Sequence, residues 1–271
     1  MRRNAILWLI FITFIWGSIF PIQKIALDGV SPLVFNSFKS WLAFLVSFFI
    51  WKERNFKYAF ILGIFVGVAY ISQTTALKLT DATKVGFITS LYIPLVPVFS
   101  YFIEREKVTK LQVLAFGISL IGFYLLTGGI DKINAGDLLT VVCAISFAVH
   151  LVLTTRFSRK VKGESLISYQ MLTVAVISTF LSLKSNWYMT LAAIWTVLYV
   201  AIFASIVAGL IQLKYQKVVG SNTAALIYTV QPVFALILSY FLLGEKLGLS
   251  QSFGALLLLT AMLIASLKRT S

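Results

Sequence analysis

Apolar positions along the chain fall in long blocks, each close to the ~20 residues a helix needs to cross ~30 Å of hydrocarbon. Charge clusters and Gly, Pro or Asn turns break the blocks near 4–27, 31–51, 56–78, 82–103 and 108–127. A second set lies near 136–155, 165–183, 189–214, 222–243 and 248–267. Stretches such as 41–51 and 255–267 do not alternate apolar with polar residues, so a β-barrel is excluded. The pattern predicts an all-α polytopic membrane protein with ten transmembrane helices and almost nothing left over for a soluble domain.

The polar positions add a duplication. Tyr101-Phe102, Glu106-Lys107 and Gln112 recur as Tyr240-Phe241, Glu245-Lys246 and Gln251, an ungapped shift of 139 residues. The same shift pairs Lys78 with Lys217, Ile88 with Ile227, Ser100 with Ser239 and Leu120 with Leu259, nine identities over 49 positions. Apolar matches come easily in such segments, but an ordered polar cluster does not. The expected units are two five-helix repeats, 1–128 and 135–267, joined through Gly128–Gly136. Five helices is an odd number, so the second copy enters the membrane from the opposite side, and inverted repeats are the architecture of alternating access.

Composition and charge sharpen the membrane reading. Apolar residues make up 59% and charged residues 12%, about half the charge of a typical soluble domain, and mean hydropathy is +0.94. The net charge of +14 would suit nucleic acid, but its placement does not. With the N-terminus inside, sixteen Lys and Arg fall on the inner side (from Arg2 and Arg3 to Lys268 and Arg269). Six fall outside: Lys24, Lys78, Lys84, Lys132, Lys184 and Lys246. This is a positive-inside bias, and it places both termini in the cytoplasm. Arg2-Arg3 opens a run longer than a signal-peptide core, without an Ala-x-Ala site, so it reads as the first span. The absence of a transit-like segment points to a prokaryotic plasma membrane. One cysteine, Cys143, permits no intrachain disulfide and makes no metal site by itself.

Several short motifs then fall into order. Trp16-Gly17-Ser18 lies in helix 1, Ser31-Pro32 opens helix 2, and Gly136-Asp137 opens helix 6. Gln231-Pro232 through Gly244-Glu245-Lys246-Leu247 spans helices 9 and 10. Together, across essentially the whole chain, these resemble the EamA-type transporters of the drug/metabolite transporter superfamily. The resemblance implies both termini in the cytoplasm and a central cavity lined chiefly by helices 1–4 and 6–9, with helices 5 and 10 as supports. On helix 2, where many relatives carry Arg, this chain has Lys39, which keeps the charge but lacks a planar bidentate fork.

The candidate functional residues are polar or aromatic side chains inside spans. Lys39 lies eight residues into helix 2, where a charge costs at least ~2.5 kcal/mol unless it meets water or a partner. It either faces a cavity or snorkels to the outer interface. His150 is the only histidine, and Cys143, Ser146, His150 and Thr154 share one helical face. That stripe belongs against a cavity or against a neighbouring helix as polar glue. In helix 3, Gly63 and Gly67 read as a packing notch, and Tyr70 and Gln73 as lining. Tyr92 precedes Pro94 and Pro97, while Tyr228 and Gln231 precede Pro232. The shift sets Pro232 one residue from Pro94, so both copies carry interruptions at nearly one depth, either a binding site or plain kinks. Trp16, Tyr169 and Gln212 complete the set.

The acids sit at or near helix ends, with Glu106, Asp137 and Glu245 at the positive end of the following helix. No carboxylate lies in mid-span, so proton coupling would have to use His150, Lys39 or an end carboxylate. No metalloprotease, nucleophile-elbow or phosphate-loop motif is present, which argues against an enzyme, and no cofactor is expected. The expected function is secondary transport, by resemblance export of amino acids or related metabolites, around a cavity between the repeats. An uptake permease, a facilitative exchanger and a non-transporting scaffold are the alternatives. The expected partners are a small-molecule substrate and the lipid bilayer, without nucleic acid; protons as coupling ion and exchange or export down a gradient without them are both open.

Overall fold

The computed structural model describes residues 2–52, 55–80, 82–126, 133–243 and 248–266, and among these the regular elements are all helices. In chain order they are α1 (Arg2–Ala26), α2 (Pro32–Ile50), α3 (Phe56–Leu79), α4 (Ala82–Ser90), α5 (Tyr92–Glu104) and α6 (Lys110–Leu126). The second half holds α7 (Ala135–Ser158), α8 (Glu164–Leu181), α9 (Leu191–Tyr199), a π-helical segment (Val200–Val207) and α10 (Ala208–Val219). It ends with α11 (Ser221–Tyr228), α12 (Gln231–Leu243) and α13 (Leu249–Ser266). Among the described residues, seven helical stretches are long and apolar enough to cross a membrane, and the shorter Ile88–Glu104, Lys110–Leu125 and Leu249–Ile264 complete ten. The fourth span is the pair α4 and α5, the eighth runs from α9 to α10, and the ninth is α11 with α12.

Packing follows the duplication. The fifth and tenth spans, α6 and α13, pack on each other, as do the second and seventh, α2 and α8. The third span packs on the sixth (α3 on α7) and the first on the eighth (α1 on α10). The first packs on the ninth (α1 on α12), and the fourth on the sixth (α5 on α7). Exchanging each span for the one five further on maps this pattern onto itself, as two inverted repeats require.

The repeated polar residues turn out to be local structure. Gln112 Oε1 accepts the Thr109 backbone N–H at 3.0 Å, and Gln251 Oε1 accepts that of Gly248 at 2.8 Å. Each closes the first turn of the span that follows, the side-chain half of a capping box. Tyr101 and Phe102 meet edge-on with centroids 5.5 Å apart, and Tyr240 and Phe241 do so at 5.1 Å. All four rings are exposed near span ends, where an aromatic belt meets the interface. Arg105 takes the left-handed conformation (φ 59°) after α5; the position 139 residues on, Gly244, lies outside the described residues. Glu245-Lys246 and most of the joint, 128–132, lie outside the described residues. Asn134 and Asp137 form a reciprocal capping box at the start of α7.

Candidate functional site

Each repeat is interrupted at the matched place. Leu91 breaks the fourth span between α4 and α5, and Thr229-Val230 breaks the ninth between α11 and α12; the 139-residue shift carries 91 to 230. Pro94 and Pro97 sit in the first turns of α5, and Pro232 in the first turn of α12. Proline has no N–H, so it cannot return a helical hydrogen bond to the carbonyl four residues back. The chain therefore leaves one helix and restarts another near the middle of each span. Open backbone at that depth is tolerated where protein or a cavity surrounds it.

A cavity lies there, with about 820 Å³ of atom-free space, part of it open to solvent. Nine of the ten expected side chains line it: Trp16, Lys39, Tyr70, Gln73, Tyr92, His150, Gln212, Tyr228 and Gln231. Tyr169 does not. It lies next to the inward Gln170 on α8, and one residue's rotation turns it away, half-buried and edge-on to Phe56 with centroids 5.4 Å apart.

The motif in α1 explains itself at this wall. Trp16 Nε1 donates to the Ala204 carbonyl of the π segment at 3.1 Å, and its ring meets Tyr228 edge-on at 5.3 Å. A Cβ on Gly17 would lie 2.7 Å from the Gln231 carbonyl oxygen, so α1 passes directly against the interruption in the ninth span. Ser18 Oγ lies 2.7 Å from the Tyr199 hydroxyl at the end of α9. Three adjacent residues thus fasten α1 to the eighth and ninth spans.

Lys39 does not snorkel. It is only 2% exposed, and its Nζ stands 3.7 Å from the centre of the Tyr70 ring, a cation–π contact. His150 satisfies both of its readings: it lines the cavity, and its Nε2 lies 3.4 Å from Gln170 Oε1 on α8. Gly63 is a packing notch, since a Cβ there would come within 2.5 Å of Thr173 Cβ. Gly67 is looser, at 3.5 Å from Val174.

Other lining residues escaped the sequence reading. Gln23 is a polar side chain within the apolar first span and satisfies the rule that selected Gln73. Ser205 is harder to find, because it lies in the π segment, where the wider turn shifts which residues face inward. Nothing in Val200–Val207 marks that change of register.

On the side where α1 begins, the cavity floor is sealed by buried polar groups. Gln216 Nε2 donates to the Leu151 carbonyl and to Thr155 Oγ1, both at 2.7 Å. Its Oε1 accepts from Gln212 at 2.8 Å and from the Tyr228 hydroxyl at 3.0 Å. Below it, Ser221 Oγ donates to Glu104, and the Ser221 N–H donates to Glu106 at 3.1 Å. Arg159 pairs with Glu104 at 3.1 Å. The acids expected at helix ends therefore cap the start of α11 and tie the first repeat to the second.

Broken spans, inverted halves and a central aromatic and amide-lined cavity define a membrane carrier. The family model described as "EamA-like transporter family" matches residues 3–128 and again 134–267. The chain belongs to this family, within the drug/metabolite transporter superfamily. An "Uncharacterized transporter" of Archaeoglobus fulgidus is 34% identical over 269 residues, covering 98% of this chain and 87% of the relative. The "Uncharacterized transporter YwfM" of Bacillus subtilis is 22% identical over 275 residues, covering 96% and 93%. A solved structure described as "Crystal structure of protein" superposes with a TM-score of 0.83 at 18% identity, covering 98% of this chain and 96% of its own. That likeness speaks for the fold.

Proposed function

We propose that this transporter exports small metabolites, such as amino acids or related compounds, by rocking its two repeats about the central cavity. The observation that carries the reading is the cavity's position between matched interruptions of the fourth and ninth spans. The aromatic rings offer faces to an apolar moiety, and Gln23, Gln73 and Gln231 offer amides to a polar one. No carboxylate stands among the described lining residues, so the solute's own gradient is the available driving force, and metabolites concentrated inside a cell leave by it. His150 and Lys39 are the lining groups able to take a proton. Both termini belong in the cytoplasm of a prokaryote's plasma membrane, from the bias in basic residues, and the two matched segments of the chain act as the rocking units.

The test is counterflow in proteoliposomes with a labelled metabolite panel, under both gradient directions, with and without a pH gradient. Saturable flux abolished by collapsing the solute gradient is expected; flux of every compound equal to protein-free vesicles overturns the reading. A second measurement probes the broken spans. In Pro232→Ala, the new N–H can bond the Tyr228 carbonyl and run the ninth span through as one helix. Turnover is expected to fall about three- to ten-fold, as a stiffened gating element implies, with solute affinity held within about two-fold. Unchanged turnover would show that the interruption is only a kink.

A further inference from the structure

Lys39 poses an electrostatic question that the transport reading leaves open. Its ammonium is buried at the cavity wall, and among the described residues no carboxylate lines that cavity. No hydrogen bond or ion pair from Nζ occurs among the described residues; its neighbour is the face of Tyr70, at 3.7 Å. A ring face attracts a cation but does not neutralise it, and an unpaired charge at this depth is expensive.

The side chain is also held in place. Ser37 Oγ lies 2.6 Å from Thr179 Oγ1, and Trp41 Nε1 donates to the same oxygen at 3.0 Å, fastening α2 to α8. Asn36 donates to Thr74 and to the Tyr70 carbonyl, fastening α2 to α3. These bonds flank Lys39 on both sides along α2 and prevent the helix from rotating the ammonium toward the interface.

The duplication makes the charge stand out further. The symmetry mate of α2 is α8, which has no Asp, Glu, Lys or Arg beyond Glu164 at its first position. Among the described residues, Lys39 thus gives the cavity a basic side chain that the repeat does not balance. The cavity's other polar groups are neutral amides and hydroxyls, and His150 is engaged by Gln170.

We propose that Lys39 is the seat for the carboxylate of an organic acid with an aromatic or apolar body, with Tyr70 holding the ammonium while the site is empty. The body lies against Trp16, Tyr92 and Phe147, which line the same cavity. This deepens the transporter reading and rests on it, so binding and flux are to be measured separately.

The experiment uses the full chain in nanodiscs and matched probes, 3-phenylpropionate against 3-phenylpropionamide and hexanoate against hexanamide, by calorimetry. The acids are expected to bind at least about 10-fold more tightly than their amides, the scale of a hydrogen bond to a charged group. Lys39→Gln is expected to remove that preference, and Lys39→Arg to keep it. Gel-filtration and melting profiles identify a misfolded Lys39→Gln; Lys39→Arg and the wild-type acid-to-amide ratio then decide. Equal affinity for acid and amide in the wild type, or an acid preference that survives in folded Lys39→Gln, overturns the assignment. Acid-selective binding without flux in proteoliposomes overturns the transport reading and leaves the carboxylate seat standing.

Discussion

Gln216→Leu is expected to destabilise the folded protein by about 2–6 kcal/mol and to make its sealed side leak. Gln216 is fully buried, and all four of its amide contacts are made, two to α7, one to Gln212 and one to Tyr228. Leucine fits the volume but leaves the Tyr228 hydroxyl, the Gln212 amide and the Leu151 carbonyl without this partner. Each stranded buried group costs about 1–3 kcal/mol in general. Interhelical bonds measured in membranes run lower, about 0.6–2 kcal/mol, because the unfolded helices also find partners. Summing three at the membrane scale gives the stated range. Unfolding in a denaturing detergent measures the loss. Leak is read as passive efflux of preloaded solute from proteoliposomes, compared with Glu104→Gln, which touches only the outer layer of the seal. In the Arg159–Glu104 pair, Arg159 is half exposed while the Glu104 carboxylate is buried. The substituted amide keeps an oxygen for the Ser221 hydroxyl, so the loss is mainly the solvent-screened charge pair, worth about 0–1 kcal/mol. Glu104→Gln should therefore melt within about 1 kcal/mol of wild type. If Gln216→Leu is as stable and as tight as Glu104→Gln, the seal does not depend on the amide network.

Much of this arrangement was legible in the sequence because a membrane helix gives polar residues few places to go. Tyr70, Gln73, His150 and Gln212 stand in apolar spans, and lipid would not satisfy them, so placing them against protein or a cavity follows from solvation alone. Lys39 was ambiguous because snorkelling depends on which way α2 is rotated, and bonds from Asn36, Ser37 and Trp41 to α3 and α8 set that rotation. Tyr169 was misplaced for a related reason: an aromatic residue is comfortable at any partly buried position, so its type says little about direction. The repeat revealed the architecture, yet its most diagnostic letters, Gln112 and Gln251, proved to be helix caps. Local structure keeps such residues alike in both copies. The asymmetric residues, Lys39 above all, bear on which solute is bound. The π segment gave no sign of itself, because its register follows from tertiary contacts such as that of Trp16 with Ala204.

Gly17→Leu is expected to abolish assembly of the bundle, and Gly17→Ala to cost about 1–3 kcal/mol, the usual penalty for forcing atoms into a packed interface. At Gly17 an added Cβ would stand 2.7 Å from the Gln231 carbonyl oxygen, 2.8 Å from Phe234 Cβ and 3.0 Å from the Ala235 nitrogen. Two of those three atoms are backbone and cannot swing aside, so α1 would have to move off α12. Such a movement would also pull Trp16 from the Ala204 carbonyl and Ser18 from Tyr199, because the three residues are adjacent. The effect should therefore exceed that of an equally crowded glycine facing a flexible side chain. Gly209 is that comparison, since its nearest neighbour is the Ile167 Cδ1 tip at 2.9 Å, which can rotate; Gly209→Ala should be milder. Gly117, with nothing within 4 Å of its Cβ position, serves as the open control. There alanine should stabilise α6 by about 0.5–1 kcal/mol through the backbone entropy of the unfolded state. The expected order of melting in detergent is Gly117→Ala, wild type, Gly209→Ala, Gly17→Ala, with no folded peak for Gly17→Leu. If Gly17→Ala melts with wild type, α1 is not held against the broken ninth span as tightly as described. The Trp-Gly-Ser motif would then act through Trp16 and Ser18 alone.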